Sequence, residues 1–309
     1  MFQNLLTQCL SLFILIGIGY LIRKKNIIGD REVAGLTNIV VLISMPASII
    51  SSMNIEFSRS KLFYAGIVLI ISLIGYLLKY LISILFNRLF EKNNTKRSIF
   101  SMMILFSNCG FMGIPVAGAL FGQEGLFYTA IVNICFNIVT WTLGIKLISE
   151  GANRGHKVSI RELIRNPGII SVLIGFSIFL IQIEFPKFIE IPLDILASTT
   201  TPLAMFSIGA FLTSTDIRSV FRDYKLIVNI IIRLIIFPII SIFILKPLGL
   251  NQNIVGVLIL LEAMPVATTV AIFARQFDSD YELASKGVFL STLVSLITIP
   301  IVLTIFNTI

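Results

Sequence analysis

Ten stretches of this chain are each about as long as a helix must be to cross a bilayer, and they leave little room for any other fold. A hydrocarbon core about 30 Å thick takes about 20 apolar residues of helix. Such stretches run over 4–22, 33–53, 62–86, 98–121, 126–148, 167–183, 191–213, 226–247, 253–274 and 283–307. Lipid offers no water to free backbone groups, so each stretch is expected to be helical. A β-barrel would alternate polar and apolar residues along each strand, and the run from Ile67 to Ile71 does not. Only 13% of the 309 residues are charged, about half the usual share, and 56% are hydrophobic. With a mean hydropathy of +0.97, the chain can be neither a soluble globule nor a disordered one. Its cysteines, Cys9, Cys109 and Cys135, all lie in apolar stretches and imply no disulfide framework.

The charges give an orientation. Among the 24 Lys and Arg, only Arg59, Lys61, Lys187 and Lys246 fall in one set of alternate connections. Lys79 and Arg233 lie within spans, and all the rest fall in the other set. Positive residues gather on the cytoplasmic side, so both termini are expected outside and the hydrophilic Glu150–Arg165 loop in the cytoplasm. The first span has its basic residues (Arg23, Lys24, Lys25) after the apolar run, the reverse of a cleavable signal. The net charge of +8 is therefore a topology signal and needs no nucleic acid to explain it.

The central loop leaves five spans on each side, and an odd number per half inverts the second half in the membrane. The expected division is a first five-helix repeat over 1–149, a linker over 150–166 and a second, inverted repeat over 167–309. Pro46 and Pro202, and Pro115 and Pro265, occupy equivalent spans of the two halves, as the interrupted helices of inverted-repeat transporters do. In the fourth span Pro115 lacks the amide that would bond back to Phe111, and Gly110 and Gly113 weaken the same turn. The ninth span carries Glu262-Ala263-Met264-Pro265. At about 1.5 Å per residue, Asn108 and Glu262 both come about halfway through the bilayer. A single proline kink in a membrane helix is ordinary. Two at matching depth, each beside a polar residue, predict broken helices whose free backbone ends take an anionic substrate or a cation.

Glu262 is the only carboxylate expected at midplane depth, where an ionised acid costs about 3 kcal/mol or more. It is read as a group that carries a proton or pairs with a cation, the alternative being a permanently protonated acid bonded to a neighbouring helix. Lys79 and Arg233 are close enough to the cytoplasmic ends of their spans for snorkelling to explain them. Asn133 and Asn137 share one face of the fifth span, either lining a cavity or gluing helices together. The one histidine, His156, has no partner at ligand spacing, so no metal and no cofactor is expected.

The segment Asn108 to Gly122 (NCGFMGIPVAGALFG) is followed by Glu124-Gly125, Phe136-Asn137 and Trp141-Thr142 with Gly144. Together with Pro202 to Gly209 (PLAMFSIG), Ala263-Met264-Pro265 and Leu290 to Ser295 (LSTLVS), it resembles the auxin efflux carrier family of transporters, in its bacterial-type form. The resemblance implies an all-α polytopic fold of ten transmembrane helices in two inverted five-helix repeats, shared with sodium–proton antiporters and bile-acid symporters. Helices 4 and 9 would be broken and crossed within a mobile transport domain, beside a scaffold that mediates a homodimer. It implies elevator-type carriage of organic anions across the plasma (inner) membrane. The substrate would contact Asn108, Gly110, Gly113, Pro115, Asn133, Asn137, Met264 and Pro265. Glu262 departs from the family's small or neutral residue at that place and is the candidate for coupling to a proton or sodium ion.

The expectation is therefore a secondary carrier of a small mono- or dicarboxylate, with a cation- or proton-coupled antiporter built on Glu262 as the alternative. No GxxxxGK[ST] segment supports an ATP-driven pump. An intramembrane enzyme would need paired aspartates, or a serine or metal with histidine, at depth, and the chain is expected not to be an enzyme.

Overall fold

The computed structural model describes residues 2–151, 166–183, 185–213, 220 and 222–308, so most of the expected 150–166 linker, His156 included, lies outside the described residues. All ten apolar stretches are helical over most of their length. In chain order the helices are α1 (Phe2–Lys24), α2 (Asp30–Met53), α3 (Arg59–Phe90), α4 (Asn94–Leu105), α5 (Cys109–Gly151), α6 (Pro167–Ile181), α7 (Lys187–Leu212), α8 (Tyr224–Leu248), α9 (Gln252–Ala263), α10 (Thr268–Gln276) and α11 (Tyr281–Thr308). Six of them, α2, α3, α5, α7, α8 and α11, are long and apolar enough to cross a membrane alone, and α6 and α9 are shorter apolar helices. At 43 residues, α5 would be about 64 Å long, twice a hydrocarbon core. It is broken at Gly122, whose φ of 62° and ψ of −150° suit a residue without Cβ, and this break separates the expected fourth and fifth spans.

Proline shapes the long helices without ending them. In α2 and α8, a π-helical turn (Val40–Ser44 and Ile232–Ile236) comes just before Pro46 and Pro238. The amides of Met45 and Phe237 reach five residues back, to the carbonyls of Val40 and Ile232. A proline removes one amide and crowds the carbonyl four residues earlier, and the widened turn absorbs that misfit. Cys109–Gly113 forms the same kind of turn just before Pro115.

Pro115 is thus not where the fourth span breaks. The helix stops earlier, at Leu105, and residues 106–108 are not helical. The ninth span breaks at its proline: Met264 is extended (ψ 147°), and so is Ala267 (ψ 135°), just before α10. The two proline positions are therefore not equivalent within their spans, although both spans are broken.

Two compact units are present. The first comprises Met1–Ile70, Gly110–Asn137 and Arg161–Thr213. In it α1 and α7 touch backbone to backbone: a Cβ on Gly209 would lie 2.0 Å from the Ile16 carbonyl oxygen, and one on Gly19 would lie 2.4 Å from that of Phe206. Small residues permitting this approach are a common way for membrane helices to associate. The second comprises Ile71–Cys109, Ile138–Ile160 and Ser214–Ile309. In it Gly287 of α11 receives Met103 of α4, and Asn229 of α8 donates to Asn87 of α3. Each unit draws on both halves of the sequence.

Candidate functional site

In the second unit the two breaks meet. Asn108 N–H donates to the Pro265 carbonyl at 2.8 Å and Ala267 N–H to the Phe106 carbonyl at 2.9 Å, pairing Ser107 with Val266 as an antiparallel bridge. This explains why α4 stops nine residues short of the fourth-span proline: extended backbone at each break supplies the partners the other lost. Val266 N–H donates to Ser291 Oγ at 3.0 Å, and Cys109 N–H to the Ser107 carbonyl. The four amides at the crossing are therefore engaged within the protein. The start of α10 has no side-chain cap.

Side chains carry what remains. Asn108 is buried, and its Nδ2 has no hydrogen-bond partner among the described residues. Two residues before the ninth-span break begins, Glu262 faces two cations. Lys79 Nζ lies 2.8 and 3.1 Å from its two oxygens, and Arg233 Nη1 lies 3.6 Å from Oε2. Lys79 also sits 4.4 Å above the ring of Tyr76, whose hydroxyl lies 3.6 Å from Cys109 Sγ. The chain of contacts thus runs from the fourth-span break to α8.

Snorkelling does not account for these cations. Lys79 is 3% exposed and Arg233 is 0% exposed. Beyond the ion pair, none of the three guanidinium nitrogens has a hydrogen-bond acceptor among the described residues. Glu262, with its side chain 22% exposed, is the most open member of the three. Two positive groups against one carboxylate leave one positive charge in excess, in an environment where an uncompensated charge is costly. A buried donor with no acceptor adds about 1–3 kcal/mol to that cost. Such a site fits an anion with hydrogen-bond acceptors. Sequence reasoning missed Lys79 and Arg233 as site residues. The only signal was a cation inside each of two spans, which a side chain reaching for water gives equally well.

Asn108, Glu262, Met264 and Pro265 are thus brought together at the crossing. Gly110, Gly113, Pro115, Asn133 and Asn137 belong to the first unit. There, a Cβ on Gly110 would lie 3.7 Å from Asn133 Oδ1, so those two residues are neighbours. Asn133 Nδ2 donates to the Thr129 carbonyl and Asn137 Nδ2 to the Asn133 carbonyl, both along their own helix. Pro115 lines a separate cavity of about 560 Å³ with Ser48, Ser51, Gln123, Asp194 and Thr200, where Ser51 Oγ donates to Asp194 Oδ1 at 2.6 Å.

Comparison with known proteins points the same way. The profile of a family described as membrane transport protein matches residues 4–303. An uncharacterized transporter of Methanocaldococcus jannaschii is 28% identical over 302 residues, covering 94% of this chain and 96% of that protein. A Rhizobium meliloti protein provisionally named a malonate transporter is 24% identical over 202 residues, 63% of this chain and 62% of its own. A rice protein (Oryza sativa subsp. japonica), named a probable auxin efflux carrier component, is 25% identical over 144 residues, 45% of this chain and 34% of its own.

Proposed function

The chain belongs to the membrane transport protein family that includes the auxin efflux carriers, and from that premise we propose that it is a secondary carrier of a small organic anion, a mono- or dicarboxylate. The family is one of membrane transporters, and the chain is a multi-pass membrane protein. The observation that carries the anion reading is the surplus positive charge of Lys79, Arg233 and Glu262, together with the buried Asn108 Nδ2, which has no partner among the described residues. In this reading a substrate carboxylate accepts from Asn108 Nδ2 and offsets the excess charge. The Rhizobium relative's name is consistent with such a substrate.

The finer parts of the proposal follow from the resemblance. The ten spans form two inverted repeats, the substrate site moves in an elevator-type cycle, and the protein works as a homodimer in the plasma membrane with both termini outside. Gly110, Gly113, Asn133, Asn137, Met264 and Pro265 shape the substrate's surroundings. Coupling of a proton or sodium ion through Glu262 is the second reading. Against it stands the geometry of the carboxylate, which already faces two resident cations.

Purified protein in proteoliposomes loaded with unlabelled malonate is expected to accumulate external labelled malonate by saturable counterflow, and Asn108→Ala is expected to abolish this with the yield of folded protein unchanged. Flux that rises linearly without counterflow would make the protein a channel, and unimpaired counterflow in Asn108→Ala would remove that residue from the site. If Glu262→Gln removes a pH dependence that the wild type shows, the coupled reading gains.

A further inference from the structure

A second, smaller cavity lies in the second unit, at the ends of the spans whose connections carry most of the positive charge. Its volume is about 300 Å³, and its polar lining comes from Arg88 on α3, Asn94, Arg97, Ser98 and Ser101 on α4, and Glu150 on α5. The two serines are already used by the fold. Ser98 Oγ donates to the Thr95 carbonyl, and Ser101 Oγ donates to the Ser83 carbonyl while accepting from Asn87. The two arginines are not used. Neither Arg88 nor Arg97 forms an ion pair or a side-chain hydrogen bond with any described residue, Glu150 of the same cavity included.

The walls are fixed. Thr95 Oγ1 donates to the Gly151 carbonyl at 2.7 Å, and a Cβ on Gly151 would lie 2.0 Å from Ser98 Oγ, so the end of α5 is pressed against the first turns of α4. That end of α4 presents the positive end of its helix dipole toward the same space. Two unpaired guanidinium forks around one rigid polar hollow at a membrane boundary suit the tetrahedral oxygens of a phosphate group, which arginine binds in bidentate fashion. Glu150 opposes such a ligand, and leaves a net lining charge of one positive unit.

We propose that this cavity is a binding site for a phosphate group, supplied either by the headgroup of an anionic phospholipid or by a free phosphate ion. It is separate from the crossing of the broken helices and carries no part of the transport chemistry. Basic pockets between helices on the cytoplasmic side are a known way for membrane proteins to hold anionic lipid headgroups.

The test is a thermal-unfolding series on the full-length purified protein in neutral detergent. Its arms add phosphatidylglycerol, phosphatidylcholine, or inorganic phosphate without lipid. Expected is a rise in unfolding temperature of several degrees with phosphatidylglycerol and little with phosphatidylcholine; a rise with inorganic phosphate alone identifies the free ion as the source. The double variant Arg88→Gln/Arg97→Gln should lose the shift while unfolding like wild type without ligand, since neither side chain has a partner to lose. Glu150→Gln should reach the same shift at severalfold lower ligand concentration. Arg31→Gln, which removes an exposed charge of the first unit, should change nothing. No shift in any arm, an undiminished shift in the double variant, or an equal loss in Arg31→Gln would overturn the proposal.

Discussion

Among single residues, the members of the buried charge cluster should differ sharply in what their loss does. Glu262 is the carboxylate that both Lys79 and Arg233 face. Replacing it with Gln leaves Lys79 and Arg233 buried without a counter-charge, a change that breaking buried pairs elsewhere puts at about 3–5 kcal/mol. Lys79→Met has the opposite character, because Arg233 and Glu262 then form a neutral pair and the ammonium's space is filled by a chain of similar length. We expect Lys79→Met to be recovered folded, at close to wild-type yield, and to show markedly slower anion counterflow. Glu262→Gln should instead lower the unfolding temperature by many degrees, and adding Lys79→Met to it should recover most of that loss. If Lys79→Met transports normally, the excess positive charge is not what the substrate offsets.

Helices in this molecule accommodate proline by widening a turn, and one widened turn carries a site residue. Arg233 lies in Ile232–Ile236, just before Pro238. Pro238→Ala restores an amide that can bond four residues back, which favours a regular helix there. Removing the extra residue of a π turn rotates the preceding residues by roughly 100° about the axis, so Arg233 should leave Glu262. The expected result is folded protein with counterflow reduced at least as far as in Arg233→Met; full activity would mean that the turn persists without the proline. At the boundary between α3 and α4, burial pushes the Glu91 carboxyl up, but the Asn93 amide at 2.9 Å and the Lys225 ammonium at 3.0 Å outweigh this and hold it below the usual carboxylate range. A depressed carboxylate stabilises above its unfolded value and loses that contribution as pH falls through its folded one. Glu91→Gln should therefore lower stability by about 1 kcal/mol at pH 7, with the gap to wild type closing as pH falls through the carboxyl's lowered range, as urea midpoints at pH 7 and in acid would show. Helix existence was legible from the apolar runs because lipid allows few alternatives. The position of the fourth-span break was not. Gly110, Gly113 and Pro115 are all weak helix residues, yet the chain stays helical through them, because what ends α4 is a backbone partner from a segment about 160 residues away.

For the whole molecule, the sequence carries the orientation in its loop charges, while the chemistry at the crossing depends on which spans become neighbours. Asn108 and Pro265, which meet at the crossing, could be picked out because polar or helix-weakening residues stand out against an apolar span. Arg233 could not, because a long cation near a span end has two ways to escape lipid, reaching for water or pairing inward, and only tertiary packing chooses between them. The proposed outside termini rest on the charge asymmetry alone, and the connections on the two sides can be told apart chemically. Ser60, in the first turn of α3, and Lys92, in the connection between α3 and α4, are both exposed and stand at opposite ends of a single 32-residue helix. A helix of that length spans about 48 Å, enough to place them on opposite faces of the bilayer. Cys109 and Cys135 are buried, so a Cys9→Ser background leaves little reactivity of its own. In intact cells, Ser60→Cys on that background should react with a membrane-impermeant maleimide without further treatment, and Lys92→Cys only after the membrane is opened. The reverse pattern would invert the protein in the membrane and put the arginine-lined cavity on the outer face. Labelling of both without permeabilisation would mean that α3 does not cross at all.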